Sequence, residues 1–199
     1  MLTAAVAIAM APAALPEDSF VLPDFSATEI AHVRGREIKY KVYHSSSNFR
    51  VDLSPELAML YMPARDAVYR LMFKSTQCIE TKGGRPRPVS GPLQLLSESK
   101  VKRAPIGTEV ADGHSCKVES VLVTAADGTL YRFKVWEATD LNGIPVRVDL
   151  ESGPSVVTTT YRDIKLQTPD PALFKPPVNC KPFEKTYQIA PPEKHGGGS

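Results

Sequence analysis

The sequence predicts a mainly β fold, and three observations carry that prediction. Turn dipeptides recur at a fixed interval: Asp112-Gly113, Asp127-Gly128 and Asn142-Gly143 lie fifteen residues apart, and Ser152-Gly153 follows ten residues later. Such pairs tolerate the positive φ angles of a two-residue hairpin turn. The segments between them are rich in Val, Thr, Tyr, Phe and Trp, which suit a pleated, half-buried surface. Eighteen prolines and twelve glycines favour many short turns over long helices. Four successive antiparallel strands are therefore expected, over 114–126, 129–138, 144–151 and 155–166.

A chain of 199 residues suits one domain with a core of its own, placed here at 20–190. The 42% apolar and 23% charged content is that of an ordinary soluble globular protein. A net charge of +2, with no basic stripe interleaved with aromatics, gives no reason to expect nucleic acid as a partner. Beyond the N-terminus no apolar run reaches 18 residues, so no transmembrane span is expected there.

Taken in order, residues 1–14 are almost wholly small and apolar, with Ala11-Pro12-Ala13 as an A-x-A cleavage site. They have the hydrophobic region and cleavage site of a secretory signal peptide, without a preceding Lys or Arg. A disordered Ala-rich terminus is the alternative. Export makes a periplasmic or extracellular location the expectation, and no cysteine near the cleavage site supports a lipid anchor. From Phe25 onward the pattern is β. Ile38, Tyr40 and Val42 alternate with Glu37, Lys39 and Lys41, and Phe49, Val51 and Leu53 alternate with Asn48, Arg50 and Asp52. Each reads as a strand with one wet and one buried face.

Leu57 to Met62 breaks the alternation, because both parities are apolar. Leu57, Met59 and Tyr61 fall on one face, Leu60 and Met62 on the other. The strand is either covered on both sides or lines a cavity on one. Methionine commonly fills gaps in cores, and the same softness would suit the wall of a site for a variable apolar ligand. A further strand follows over Ala67 to Phe73.

Residues 82–106 interrupt the β pattern. Lys82, Arg85, Arg87, Lys100, Lys102 and Arg103 face the single acid Glu98. Gly83-Gly84, Pro86, Pro88 and Gly91-Pro92 make the first half a loop. Pro92 to Ser99 has the spacing of two helical turns, with Leu93 and Leu96 on one side. A basic loop with an apolar ridge, set between two halves of a sheet, is either a solvated insert or a lid. In the lid reading Leu57, Met59, Tyr61 and Met62 with Leu93 and Leu96 enclose an apolar pocket, and Lys100 and Arg103 stand at its mouth to meet an anionic headgroup. At the C-terminus Leu173 and Phe174 provide one anchor, and 191–199 forms a flexible tail.

The three cysteines sort by strand parity. Cys116 shares a face with Val118 and Leu122 and should point into the core. Cys78 shares parity with Thr76 and Glu80, the wetter face, and Cys180 lies in the Pro-rich tail. In an exported protein Cys78 and Cys180 are then the expected disulfide, with Cys116 a buried free thiol.

Signs of catalysis are sparse. No G-x-S-x-G elbow, phosphate loop, dinucleotide fingerprint or C-x-x-C occurs, so neither an enzyme nor a cofactor is expected. His114 and Cys116 stand two apart on one strand face, but a zinc site needs three or four protein ligands, and a turn histidine beside a core cysteine is the better reading. His32 and His44 have no sequence partner that marks a base. Glu137, Asp140, Asp149 and Glu151 flank the third turn and are expected to be solvated.

Several stretches together resemble the bacterial outer-membrane lipoprotein-sorting (LolA-like) group and its secreted relatives. They are Gly107-Thr108-Glu109-Val110 through Gly113-His114-Ser115-Cys116, then Phe133 to Ala138, then Asp140 to Pro145, and Pro169 to Phe174 with Pro176-Pro177. Phe25-Ser26-Ala27 and Arg50 near a strand end are similar too. The resemblance implies a strongly curved antiparallel sheet, an incomplete β-barrel with one or two short helices, whose concave face holds lipid or acyl chains. It carries no catalytic residues. The expected partners are a lipid, an acyl chain or a lipoprotein, or another envelope protein. A structural or interaction domain of the envelope with a filled core is the alternative.

Overall fold

The computed structural model describes residues 17–18, 20–33, 35–82, 91–98, 100–125, 128–152 and 155–182. Within these, thirteen strands form a single open sheet, curved and antiparallel apart from its last pair. The leader 1–14, the loop 83–90 and the tail 191–199 lie outside the described residues.

The chain lays the sheet down as two meanders. The first runs through β2 (Phe25–Val33), β3 (Arg36–Ser45), β4 (Asn48–Ser54), β5 (Leu57–Met62), β6 (Ala67–Met72) and β7 (Gln77–Lys82). The chain then reaches α1 (Gly91–Glu98), the one α-helix among the described residues. The second meander is β8 (Lys100–Ala111), β9 (His114–Thr124), β10 (Leu130–Ala138), β11 (Pro145–Ser152) and β12 (Ser155–Lys165). β12 then pairs with β2, joining the two meanders side by side. Two short strands sit at the ends: β1 (Glu17–Asp18) against β8, and β13 (Lys181–Pro182) parallel to β7. Because β7 and β8 stand far apart in strand order, the chain between them must cross the sheet, and α1 lies on that crossing.

The turn chemistry acts where the sequence placed it. Asp112 and Gly113 adopt φ of 50° and 85°, the paired positive angles of a tight hairpin. Gly128 follows at 82°, while Asp127 and Gly153 lie outside the described residues. The third turn is longer than a two-residue loop. Thr139–Leu141 forms a 3-10 turn, and Asn142 and Gly143, at φ of 53° and 78°, complete it before β11.

Residues 100–106 correct the sequence reading, because they belong to β8 and not to an insert. β8 is the outermost long strand, covered by β1 only opposite Val101 and Lys102. Its register shifts between Pro105 and Gly107, and Ile106 and Val110 are exposed. A bulge and a wet edge erase the alternation that marks a half-buried strand.

The face that α1 covers carries the main core. Phe25, Ala27, Val42, Phe49, Val51, Val101, Val121, Val123, Phe133, Val135, Val148 and Tyr161 pack there with Leu93 and Leu96 of α1. Two clusters occupy the other face. One holds Cys116, Val118, Trp136, Ala138 and Val146. The other holds Ala58, Leu60, Tyr69, Leu71 and Cys78 under Phe174 and Leu173.

β5 is therefore covered on both sides, which explains its unbroken apolar run. Cys78 is buried at 4% exposure, not on a wet face as its parity with Glu80 predicts, because the C-terminal segment packs over it. Its pairing with Cys180 is nonetheless the one the sequence indicates, and Cys116 is the buried free thiol.

Candidate functional site

The helix-covered face is where the chain brings its predicted site residues together, and it does so selectively. Leu93 and Leu96 lie three apart on α1, so both point down onto the sheet. They are fully buried, at 2% and 0% exposure. Tyr61 packs against the same apolar cluster. Met59, opposite Val51 across the β4–β5 ladder, is buried, and Leu57 shares its strand parity. Met62 packs instead with the opposite cluster under Phe174.

The two basic residues assigned to the mouth are on β8. Lys100 is exposed at the start of that strand. Arg103 does not stand free for a headgroup. Its Nε donates to Glu119 Oε2 at 2.5 Å, its Nη2 donates to Glu137 Oε1, and its guanidinium lies 5.0 Å from the Phe20 ring. Glu137 is thus buried and paired, where the sequence suggested a solvated carboxylate. Burial pushes its carboxyl above the usual range, and Arg103 pulls the other way. Strand parity could have found this pair, since Glu137 shares a face with Phe133 and Val135.

Sequence reasoning missed the polar group directly under the helix. Glu29 is 3% exposed, and Tyr161, at 1%, donates its hydroxyl to Glu29 Oε2 at 3.0 Å. Gly91, the first residue of α1, sits so close to that carboxylate that a Cβ there would fall 2.5 Å from Oε1 and nearer still to Oε2. Burial raises the Glu29 carboxyl to about 7, and the Tyr161 hydrogen bond works against the rise. A lone Glu between Thr28 and Ile30 gives no sequence signal of this.

His44 is another buried polar group on this face. It sits between the Phe25 and Phe49 rings, at 5.7 and 4.6 Å, with Nδ1 2.7 Å from the Pro23 carbonyl oxygen. Desolvation holds it below its ordinary value of 6.5. His114, by contrast, pairs with Asp140 at 2.8 Å on the surface, while Cys116 points into the core. Among the described residues no group of three His, Cys, Asp or Glu side chains is placed to hold a metal.

Two shallow depressions lie elsewhere. One, about 370 Å³, is bordered by Gln77, Cys78, Ile79 and Asn179 beside the disulfide. The other, about 490 Å³, is bordered by Lys41, Tyr43, Asp163 and Lys165. Neither includes the predicted site residues that lie on the helix-covered face.

No family model matches the sequence, and no curated protein matches it. Among solved structures, the fold is similar to that of MucB, at a TM-score of 0.45 and 16% identity over 80% of this chain. That match spans 59% of the MucB chain. It is also similar to a LolA superfamily protein from Nitrosomonas europaea, at a TM-score of 0.42 and 14% identity, covering 79% of this chain and 92% of that one. LprF from Mycobacterium bovis is similar at 0.35 and 12% identity, over 75% and 90% of the two chains.

Proposed function

We propose that this chain is a non-enzymatic carrier of an apolar or acylated ligand in the periplasm or outside the cell. The ligand, a lipid, acyl chain or lipoprotein, would lie on the concave face of the sheet, which we take to be the face that α1 covers. One observation supports this above the others. Among the described residues, a broad apolar sheet face is covered by one eight-residue helix through Leu93 and Leu96, with Phe20 and Leu22 beside it. A helix this short is marginal alone and is held mainly by that packing. An apolar ligand offers the sheet the same burial and can take the helix's place.

Leu57, Met59 and Tyr61 would form the wall of the site, with Leu93 and Leu96 as its cover. Met62 would sit behind that wall, and Lys100 at the rim. A second reading, a structural domain of the envelope without a ligand, is favoured by the full burial of Leu93 and Leu96. Native mass spectrometry of protein purified from its own host separates the two. Co-purified lipid, together with saturable binding of an apolar dye after delipidation, is the expected result. Protein that emerges free of lipid and binds no dye would remove the carrier reading.

A further inference from the structure

We propose that α1 and an apolar ligand compete for the same sheet face, and that their exchange is coupled to the ionisation of Glu29. The inference rests on the carrier reading and adds its regulation. Three elements meet at this one carboxyl group. Glu29 projects from β2, Tyr161 reaches it from β12, and Gly91 brings the start of α1 against it. The contact leaves no room for a side chain at position 91, where a Cβ would overlap both carboxyl oxygens. Helix α1 therefore cannot rest on the sheet without enclosing Glu29.

The surroundings of Glu29 are uncharged among the described residues. From β12 the titratable group facing it is Tyr161, and from β3 its register partner is Tyr40. From α1 comes the backbone at Gly91. On β2 itself the neighbour Thr28 faces away, donating to Asp163. Among the described residues no cation contributes to the titration of Glu29, and burial dominates it, raising it from 4.5 to about 7.

The direction of the coupling follows. With α1 seated, Glu29 is neutral up to about pH 7. A ligand that takes the places of Leu93 and Leu96 but leaves the Gly91 contact open lets the carboxyl meet water and return to its ordinary value of 4.5, so it ionises across the window between. The displaced state holds fewer protons, and rising pH favours it. The gain is up to about tenfold per pH unit and about 300-fold across the whole window. Ligand entry would release a proton, and ligand loss would be favoured in acid.

The probe is N-phenyl-1-naphthylamine, whose charge does not change over the range used. Its fluorescence is titrated with the delipidated full chain at about pH 5 and about pH 7.5. The expected result is a dissociation constant at least tenfold lower at the higher pH, and a flat profile for Glu29→Gln. Dye binding without a pH slope, or the same slope in Glu29→Gln, would overturn the coupling. Hydrogen-exchange protection factors of the α1 amides, measured without any ligand, keep the coupling separate from the carrier reading. Protection of α1 should fall as pH rises, relative to β9, in the parent and not in Glu29→Gln. If no dye binds but α1 protection behaves so, the carrier reading fails and the proton-linked helix stands. If α1 protection is independent of pH, the coupling fails whatever the dye does.

Discussion

Cys78 on β7 and Cys180 in the C-terminal segment are bonded across 102 residues of sequence. The bond fastens the segment that carries Leu173 and Phe174 over the outer face of β5, β6 and β7. Arg50 strengthens the same attachment, with Nη1 donating to the Leu173 carbonyl oxygen at 3.2 Å. Replacing both cysteines by serine should lower stability by about 2–5 kcal/mol, since a long loop is no longer closed in the unfolded chain. Urea unfolding of the double variant against the parent measures it, and an unchanged midpoint would contradict this role.

Two glycines with similar backbone angles should respond differently to alanine. Gly113 has φ of 85° and nothing within 4 Å of where a Cβ would stand, so its substitution costs only the left-handed strain, about 1–2 kcal/mol. Gly91 has φ of 61° and the Glu29 carboxylate in the way. Its alanine variant should lose at least about 1 kcal/mol more, because the steric conflict adds to the strain. Thermal unfolding of the two variants side by side tests the order.

Removing Arg103 should leave Glu119 and Glu137 without their shared cation. Arg103→Met should destabilise the chain by roughly 2–3 kcal/mol, as expected when one member of a partly buried ion pair is lost. The deficit should shrink in acid. Without Arg103 the Glu137 carboxyl, already raised by burial, rises further, and protonation then relieves the conflict. Denaturant titrations at acid and neutral pH show whether the gap narrows.

His44 and Glu29 should pull stability in opposite directions over the same range. His44 is depressed in the folded chain, so its contribution is present above its ordinary value of 6.5 and is lost as pH falls. Glu29 is raised to about 7, so its contribution is complete below 4.5 and is lost as pH rises through 7. Glu29→Gln should therefore make stability rise more steeply with pH between 4.5 and 7. Adding His44→Phe should remove part of that rise. Unfolding free energies at half-unit pH intervals test both signs.

The sequence by itself determined the elements whose signals are local. Turn dipeptides placed the hairpins around Gly113 and Gly128, and apolar spacing placed Leu93 and Leu96 on one side of a short helix. The double-sided run from Leu57 to Met62 announced a strand either enclosed on both faces or lining a cavity. These follow from φ preference and from periodicities of two and 3.6, which act between near neighbours.

Only the tertiary structure decided what lies across the sheet. β8 was hidden because an edge strand with a bulge has little need to alternate. Cys78 was assigned to a wet face because nothing near it in sequence foretells the cover supplied by Leu173 and Phe174. Arg103 meets Glu137 from 34 residues away, and Tyr161 meets Glu29 from 132. Burial is a property of what arrives from elsewhere in the chain. The ionisation of Glu29 therefore depends on where α1 comes to rest, not on the residues beside it in sequence.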